Sequence, residues 1–93
     1  MDRFHRPVGY LDSGGETFIV SMARQRGLIF WAILKDSVAV MSGVAKNHEQ
    51  ERVALDFANG VDRNEFLDCI RSGFMEYTIL NDLEVTRILN LSA

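Results

Sequence analysis

The sequence predicts an α+β domain in which a small antiparallel sheet of three or more strands carries two main helices on one face and a short C-terminal helix. Three observations support this fold class. Residues 28–34 form the longest apolar run, residues 17–22 are rich in β-branched and aromatic side chains, and Asp62 and Asn81 each precede a glutamate by three positions. We expect the 93 residues to form a single domain, residues 1–93.

The apolar run at 28–34 predicts a central strand. Successive side chains of a strand point to opposite faces, and here both faces are apolar, so we expect both to be shielded from water. The run is too short to cross a membrane, which requires roughly 20 residues. One face carries Leu28, Phe30, Ala32 and Leu34, and the other carries Ile29, Trp31 and Ile33.

A second strand is predicted at 17–22, pairing antiparallel with 28–35. The five residues between them, 23–27, fit a hairpin loop that ends in glycine. Glycine suits that position because it adopts positive φ without steric cost. The sequence therefore predicts a β-hairpin in the first half of the chain.

Residues 1–15 predict an extended arm that precedes the hairpin. The arm holds several charges and the single proline, Pro7. It ends in Asp-Ser-Gly-Gly at 12–15, residue types that tolerate or satisfy non-helical backbone. We therefore expect a turn at 12–15, immediately before the first strand.

Two segments, 35–43 and 48–58, are compatible with helix or strand. In the first, Asp36 or Ser37 suits a helix N-cap and Gly43 suits a helix end. Its valines, however, alternate as in a strand and lose side-chain freedom in a helix. In the second segment the apolar residues fit either period, so the residues alone leave both assignments open.

Asp62 and Asn81 mark two clearer helix starts. Each is followed three residues later by glutamate, the arrangement of a capping box. The first predicted helix, 62–75, has apolar residues at spacings of three and four, which indicates one buried stripe. A short strand is predicted at 76–80, and residues 83–93 predict a C-terminal helical extension.

Several apolar segments follow one another in a fixed order: Tyr10-Leu11, Phe18-Ile19-Val20, Trp31-Ala32-Ile33-Leu34, Ser37-Val38-Ala39-Val40, Phe57, the helix through Phe66 and Ile70, and Tyr77-Thr78-Ile79-Leu80. In order and spacing over about residues 10–82, they resemble a family of small bacterial proteins classed as a domain of unknown function. The resemblance implies helix for 37–42 and 48–58, and it implies no activity. The chain departs from the family pattern in the break at 59–60 and in residues 83–93.

The composition is typical of a globular domain, with 47% hydrophobic and 25% charged residues and a net charge of −3. The charge is uneven: residues 1–46 hold six basic and four acidic residues, whereas 47–93 hold four basic and nine acidic ones. An acidic half argues against general affinity for phosphate backbones. The single cysteine excludes an intrachain disulfide, and the N-terminus lacks the apolar segment of a secretory signal. We therefore expect a cytoplasmic protein.

No motif indicates catalysis, a cofactor or a metal. His5 and His48 are far apart in sequence, and neither has a second ligand at metal-binding spacing. Cys69 lies beside the apolar stripe of its helix and has no neighbouring base, so we expect an unreactive, partly buried thiol. The sequence therefore predicts no metal site, no cofactor site and no catalytic residue.

The features that remain indicate contacts with a partner. The two arginines of the hairpin loop lie at its tip, and Trp31 shares its strand face with two isoleucines. The chain itself or a second copy has to cover that apolar face. Three apolar residues line one side of the last helix, which is too short to be stable unless it docks on its own domain or on another chain. The predicted partner-binding residues are Arg24, Arg26, Trp31, Val85, Ile88 and Leu89.

We therefore expect a small, non-enzymatic cytoplasmic protein that acts through protein–protein interaction, as a homodimer. One alternative is a nucleic-acid-associated protein that uses the basic arm at 3–6 and the hairpin arginines. Another is a small-ligand-binding domain with a pocket between sheet and helices. Neither a metal nor a membrane is part of any of these expectations.

Overall fold

A computed structural model of the chain describes residues 6–13 and 15–90. The elements are β1 (Pro7–Ser13), β2 (Glu16–Gln25), β3 (Leu28–Lys35), β4 (Val38–Ala45), α1 (His48–Ala58), α2 (Arg63–Arg71), β5 (Tyr77–Ile79) and α3 (Asp82–Leu89). The five strands form one antiparallel sheet in sequence order, with α1 and α2 inserted between β4 and β5. The predicted α+β fold, with its short last helix, is confirmed.

The turn between β2 and β3 is shorter than predicted. Strand β2 continues to Gln25, which pairs with Leu28 at the start of β3. Arg26 and Gly27 alone make the turn, and both have positive φ, 54° and 78°. This backbone matches the twist of the strands that it joins. The predicted five-residue loop at 23–27 is therefore wrong, because its first three residues belong to the strand.

The segment after β3 is also a strand, so the helix expected at 37–42 is wrong. Asp36 and Ser37 have φ of 51° and 68° and form a second two-residue turn. Lys35 pairs across that turn with Val38, and β4 then runs along β3. Backbone pairing with the neighbouring strand, together with the β-preference of valine, determines the conformation here.

The predicted N-terminal arm contains a strand of the sheet. Residues 7–13 form β1, which pairs antiparallel with β2 from Pro7 opposite Ser21 to Ser13 opposite Glu16. Gly15 has a φ of 87° in the turn that follows, within the predicted turn at 12–15. Residues 1–5 of the arm, and Gly14 in the turn, lie outside the described residues.

The helices begin where side-chain caps occur. Asp62 accepts a hydrogen bond from the Glu65 backbone N–H (3.1 Å), and Asn81 accepts one from that of Glu84 (3.2 Å). Residues 48–58 form a helix, as the resemblance implied, and α2 ends at Arg71, short of the predicted 75. No helix in the described part of the chain has both the length and the hydropathy that a membrane-spanning helix needs.

One hydrophobic core joins the sheet to the three helices. Trp31 lies at its centre and meets Phe66 of α2 edge to face, with ring centroids 5.3 Å apart. Phe57 of α1 also packs on Phe66, with the two rings tilted and their centroids 4.8 Å apart. Aromatic contacts of this kind add stability beyond the area that they bury. The helices therefore cover the sheet face that carries Trp31.

Candidate interaction surface

Trp31 is buried within its own chain. Its side chain is 0% exposed, and Ile29 and Ile33 on the same strand face are also buried. The predicted role of Trp31 in partner contact is therefore a misassignment, because α1 and α2 cover this side chain. Within residues 6–13 and 15–90, no helix packs on the opposite face of β3.

The register of the β2–β3 hairpin determines which face is covered. Because Gln25 pairs with Leu28, Met22 pairs with Trp31 and both point into the core. A five-residue loop would have aligned the core residues of β2 with the other face of β3. The Arg-Gly pair at 26–27 was the available signal, since glycine at the second position of a two-residue turn is a recognised hairpin feature.

The last helix, α3, docks on its own domain. Val85 and Ile88 are 3% and 0% exposed, and both belong to the core. Leu89 is half-buried against that core, and its carbonyl accepts a hydrogen bond from Arg71 Nε (2.9 Å). These three residues were predicted to contact a partner. The prediction allowed this helix to dock either on its own domain or on another chain. In this structure α3 docks on its own sheet and on α2.

Ion pairs hold α3 against the sheet. Lys35 Nζ lies between Glu16 Oε1 (2.5 Å) on β2 and Glu84 Oε2 (2.7 Å) on α3, and Arg87 pairs with Glu16. The hydrogen bond from Lys35 lowers the pKa of Glu16, and the same bond raises the pKa of Lys35. These contacts join β2, β3 and α3 at one corner of the domain.

Among the described residues, no helix lies on the other face of the sheet, and we call it the open face. None of its residues belongs to the core, whose sheet residues all point to the helices. Ser21 and Ala32 at its centre are small and buried, while most of the larger side chains around them remain partly exposed. The strand register assigns to this face Pro7, Tyr10, Asp12, Thr17, Ile19, Ser21, Ala23, Gln25, Leu28, Phe30, Ala32, Leu34, Ala39, Ser42, Val44 and Thr78.

Charge is nearly absent from the open face. Among the described residues of the open face, Asp12 is the only Asp, Glu, Lys, Arg or His. It lies at one corner, where it accepts a hydrogen bond from Thr17 Oγ1 (3.0 Å). None of the ion pairs among the described residues involves an open-face side chain. The face is therefore suited to apolar contact rather than to charge recognition.

The two halves of the open face differ in relief. On the β1–β2 half, Tyr10 is 55% exposed and stands beside Ile19 of the neighbouring strand. The β4–β5 half holds a shallow depression of about 200 Å³. The depression is lined by Phe30, Ser42, Gly43, Val44 and Thr78. An exposed tyrosine on the β1–β2 half thus accompanies a shallow depression on the β4–β5 half.

The two hairpin arginines lie at the β2–β3 tip, away from α3. Arg24 Nη1 is 3.2 Å from Glu51 Oε2 of α1 and also donates to the Gly27 carbonyl (3.3 Å). Arg26 is exposed in the turn. The pairing of Arg24 with an acidic side chain reduces the positive charge that this tip presents to a phosphate.

The groups that the sequence left as candidates for chemistry do not gather. Within residues 6–13 and 15–90, no group of three or more His, Cys, Asp or Glu side chains is placed to hold a metal. His48 begins α1, and His5 lies outside the described residues. Burial, followed by the nearby Glu65 and Asp68 carboxylates, raises the pKa of Cys69. The thiol therefore remains protonated near neutral pH, which disfavours nucleophilic chemistry.

Comparisons with family models, with curated proteins and with solved structures found no match to this chain. The resemblance to a family classed as a domain of unknown function therefore remains a prediction.

Proposed function

We propose that this chain is a small, non-enzymatic cytoplasmic protein that acts through protein–protein association, and that it associates as a homodimer. The observation that carries the proposal is the open face of the sheet. Its apolar side chains are contiguous across the strands, and its single carboxylate lies at a corner. Contiguous apolar surface rimmed by polar residues is typical of association sites.

The rest of the described surface supports association less well. The other apolar segment predicted to bind a partner, the α3 stripe, is already buried in cis. Outside the open face, the exposed large apolar residues of the described chain are Val38, Leu55, Val61, Phe74, Ile79, Leu80 and Leu83, and exposed residues of this kind are normal on monomers. The open face is therefore a nearly uncharged surface from which a second copy would remove apolar side chains from contact with water.

The nucleic-acid alternative has weaker support. The hairpin arginine nearest to the helices, Arg24, is paired with Glu51, and the net charge of the chain is −3. Affinity for phosphate backbones depends on unneutralised positive charge. Of the basic arm, Arg6 is described and exposed, and residues 3–5 lie outside the described residues.

The proposal is tested by sedimentation velocity and light scattering of the full chain over a wide concentration range. We expect a concentration-dependent species with twice the monomer mass of 10.5 kDa. We also expect the association to be insensitive to salt, because the open face carries almost no charge. A strict monomer at the highest concentration would contradict the proposed function.

A further inference from the structure

We infer that two copies of this chain pack face to face through their open faces, so that the two sheets form the layers of a sandwich with the helices outside. This inference rests on the proposed homodimer and adds which surface forms it. Packed sheets lie about 10 Å apart with their strands aligned within roughly 30°. Such packing would place Phe30 of the central strand near the middle of the contact.

The edges of the sheet disfavour the other common way in which sheets associate, the pairing of edge strands. At one edge, β1 begins with Pro7, which cannot donate a ladder hydrogen bond, and its pairing register shifts between Pro7 and Gly9. At the other edge, β5 has only three residues, Tyr77–Ile79. Prolines, register irregularities and short strands are the features by which proteins prevent edge pairing.

The extent of the open face also favours a second sheet as its occupant. Five strands about 4.8 Å apart and about seven residues long present roughly 450 Å² in projection. The accessible surface of the side chains exceeds this projected area, and a stable interface takes about 800 Å² of accessible surface from each partner, so nearly the whole face has to be covered. A helix, about 10 Å wide, covers only part of this width. A second open face has the required extent.

Charge does not oppose the contact between two copies. The chain carries a net charge of −3, which would make two copies repel if the acidic residues met. The acidic residues of the second half lie on the helices and their connections, behind the sheet. Charges separated by more than about 8–10 Å of salt solution are largely screened. The uncharged open face is therefore the side on which two acidic copies approach at least cost.

A twofold axis determines which halves of the two open faces meet. A twofold axis parallel to β3 places the β1–β2 half of one copy over the β4–β5 half of the other. Tyr10, 55% exposed on the first half, then lies over the β4–β5 half of the other copy, at the strand level of Leu34 and Ala39. The same contact occurs twice, because an interface with twofold symmetry is isologous.

The inference is tested with the charge variants Phe30→Lys and Phe30→Glu of the full chain. Because like charges would meet near the middle of the contact, each variant alone should dissociate at least about 30-fold more readily than the wild type, as expected for a central interface residue. Mixed in equal amounts, the two variants should form a heterodimer, since their charges are opposite. Recovery on mixing shows that both variants are folded.

The matched controls are Leu55→Lys and Leu55→Glu. Leu55 is an exposed apolar residue, 40% accessible on α1, on the helical side of the domain. These variants carry the same changes in charge, and we expect them to dimerise as the wild type does. Tyr10→Ala is a second interface variant, and because this side chain is already exposed its truncation should leave the fold intact. It should weaken the dimer about tenfold.

Each outcome separates the two proposals. A monomeric wild-type chain overturns the proposed function, and the packing inference with it. A wild-type dimer that persists in the Phe30 charge variants and in Tyr10→Ala overturns face-to-face packing but leaves the homodimer in place. Folded Phe30 variants that are monomeric and do not associate on mixing also overturn it. If both Phe30 variants misfold, Tyr10→Ala decides the inference.

Discussion

At the scale of single residues, Gly43 shows how closely the core is packed. A side chain at Gly43 would place its Cβ 2.6 Å from Cε2 of Trp31 and 2.6 Å from the carbonyl oxygen of Glu76. Both contacts are far below van der Waals separation, and one of them is with backbone. Glycine is therefore required here so that β4 can pass over the indole ring, irrespective of backbone conformation.

We expect Gly43→Ala to destabilise the fold by about 3 kcal/mol, because the indole and the backbone at Glu76 would both have to move. Urea denaturation followed by the fluorescence of Trp31, the only tryptophan, measures the effect. Asn64→Ala on the exposed side of α2 is the control and should change stability by less than about 0.5 kcal/mol. An unchanged urea midpoint for Gly43→Ala would show that this packing is wrong.

Residue-scale features with local causes could be predicted from the sequence. The caps at Asp62 and Asn81 were predicted and form as expected, because an N-cap bond joins residues three positions apart. The need for glycine at position 43 was not predicted, since the atoms that exclude a side chain come from residues 12 and 33 positions away. No local pattern records such an approach.

At the scale of elements, the ion pairs between β2, β3 and α3 make stability depend on pH. The Lys35 hydrogen bond lowers the pKa of Glu16 from its ordinary value of 4.5. A carboxylate whose pKa is lower in the folded state stabilises the fold above its unfolded pKa. That contribution is lost as the pH falls through the folded pKa.

We therefore expect Glu16→Gln to lower the urea midpoint at pH 7, and we expect the difference from the wild type to shrink as the pH falls from about 5 to about 3. Parallel denaturation series at several pH values measure it. Glu49→Gln, which removes an exposed carboxylate 4.0 Å from Arg52, is the control and should have a smaller effect at pH 7. A difference that stays constant down to pH 3 would contradict the role of Glu16.

Strand positions could be predicted from the sequence better than strand partners. The strands at 17–22 and 28–35 were placed correctly, because apolar and β-branched residues mark them directly. Residues 37–42 were assigned to a helix. They form a strand instead, because β4 pairs with β3 across the turn at Asp36 and Ser37. The error arose because a short apolar segment takes the conformation that its neighbour stabilises.

At the scale of the whole molecule, the distribution of charge bears on the nucleic-acid alternative. Arg24 is paired with Glu51, and the chain as a whole is acidic. We expect the wild-type chain not to bind duplex DNA or RNA at low salt. We expect the double variant Arg24→Ala/Arg26→Ala to give the same anisotropy as the wild type. Fluorescence anisotropy of labelled duplexes measures this. Salt-dependent binding that the double variant weakens would favour the alternative function.

The sequence by itself determined the fold class, the two capped helices and the existence of a doubly apolar central strand, because each follows from patterns within a few neighbouring residues. Only the tertiary structure decided which face of that strand is buried. A change of one residue in hairpin register exchanges the two faces of a strand, and the register depends on the two-residue turn at Arg26 and Gly27 and on the helices that pack on Trp31. The surface available for association, the face with Phe30 rather than the face with Trp31, is therefore a property of pairing and packing.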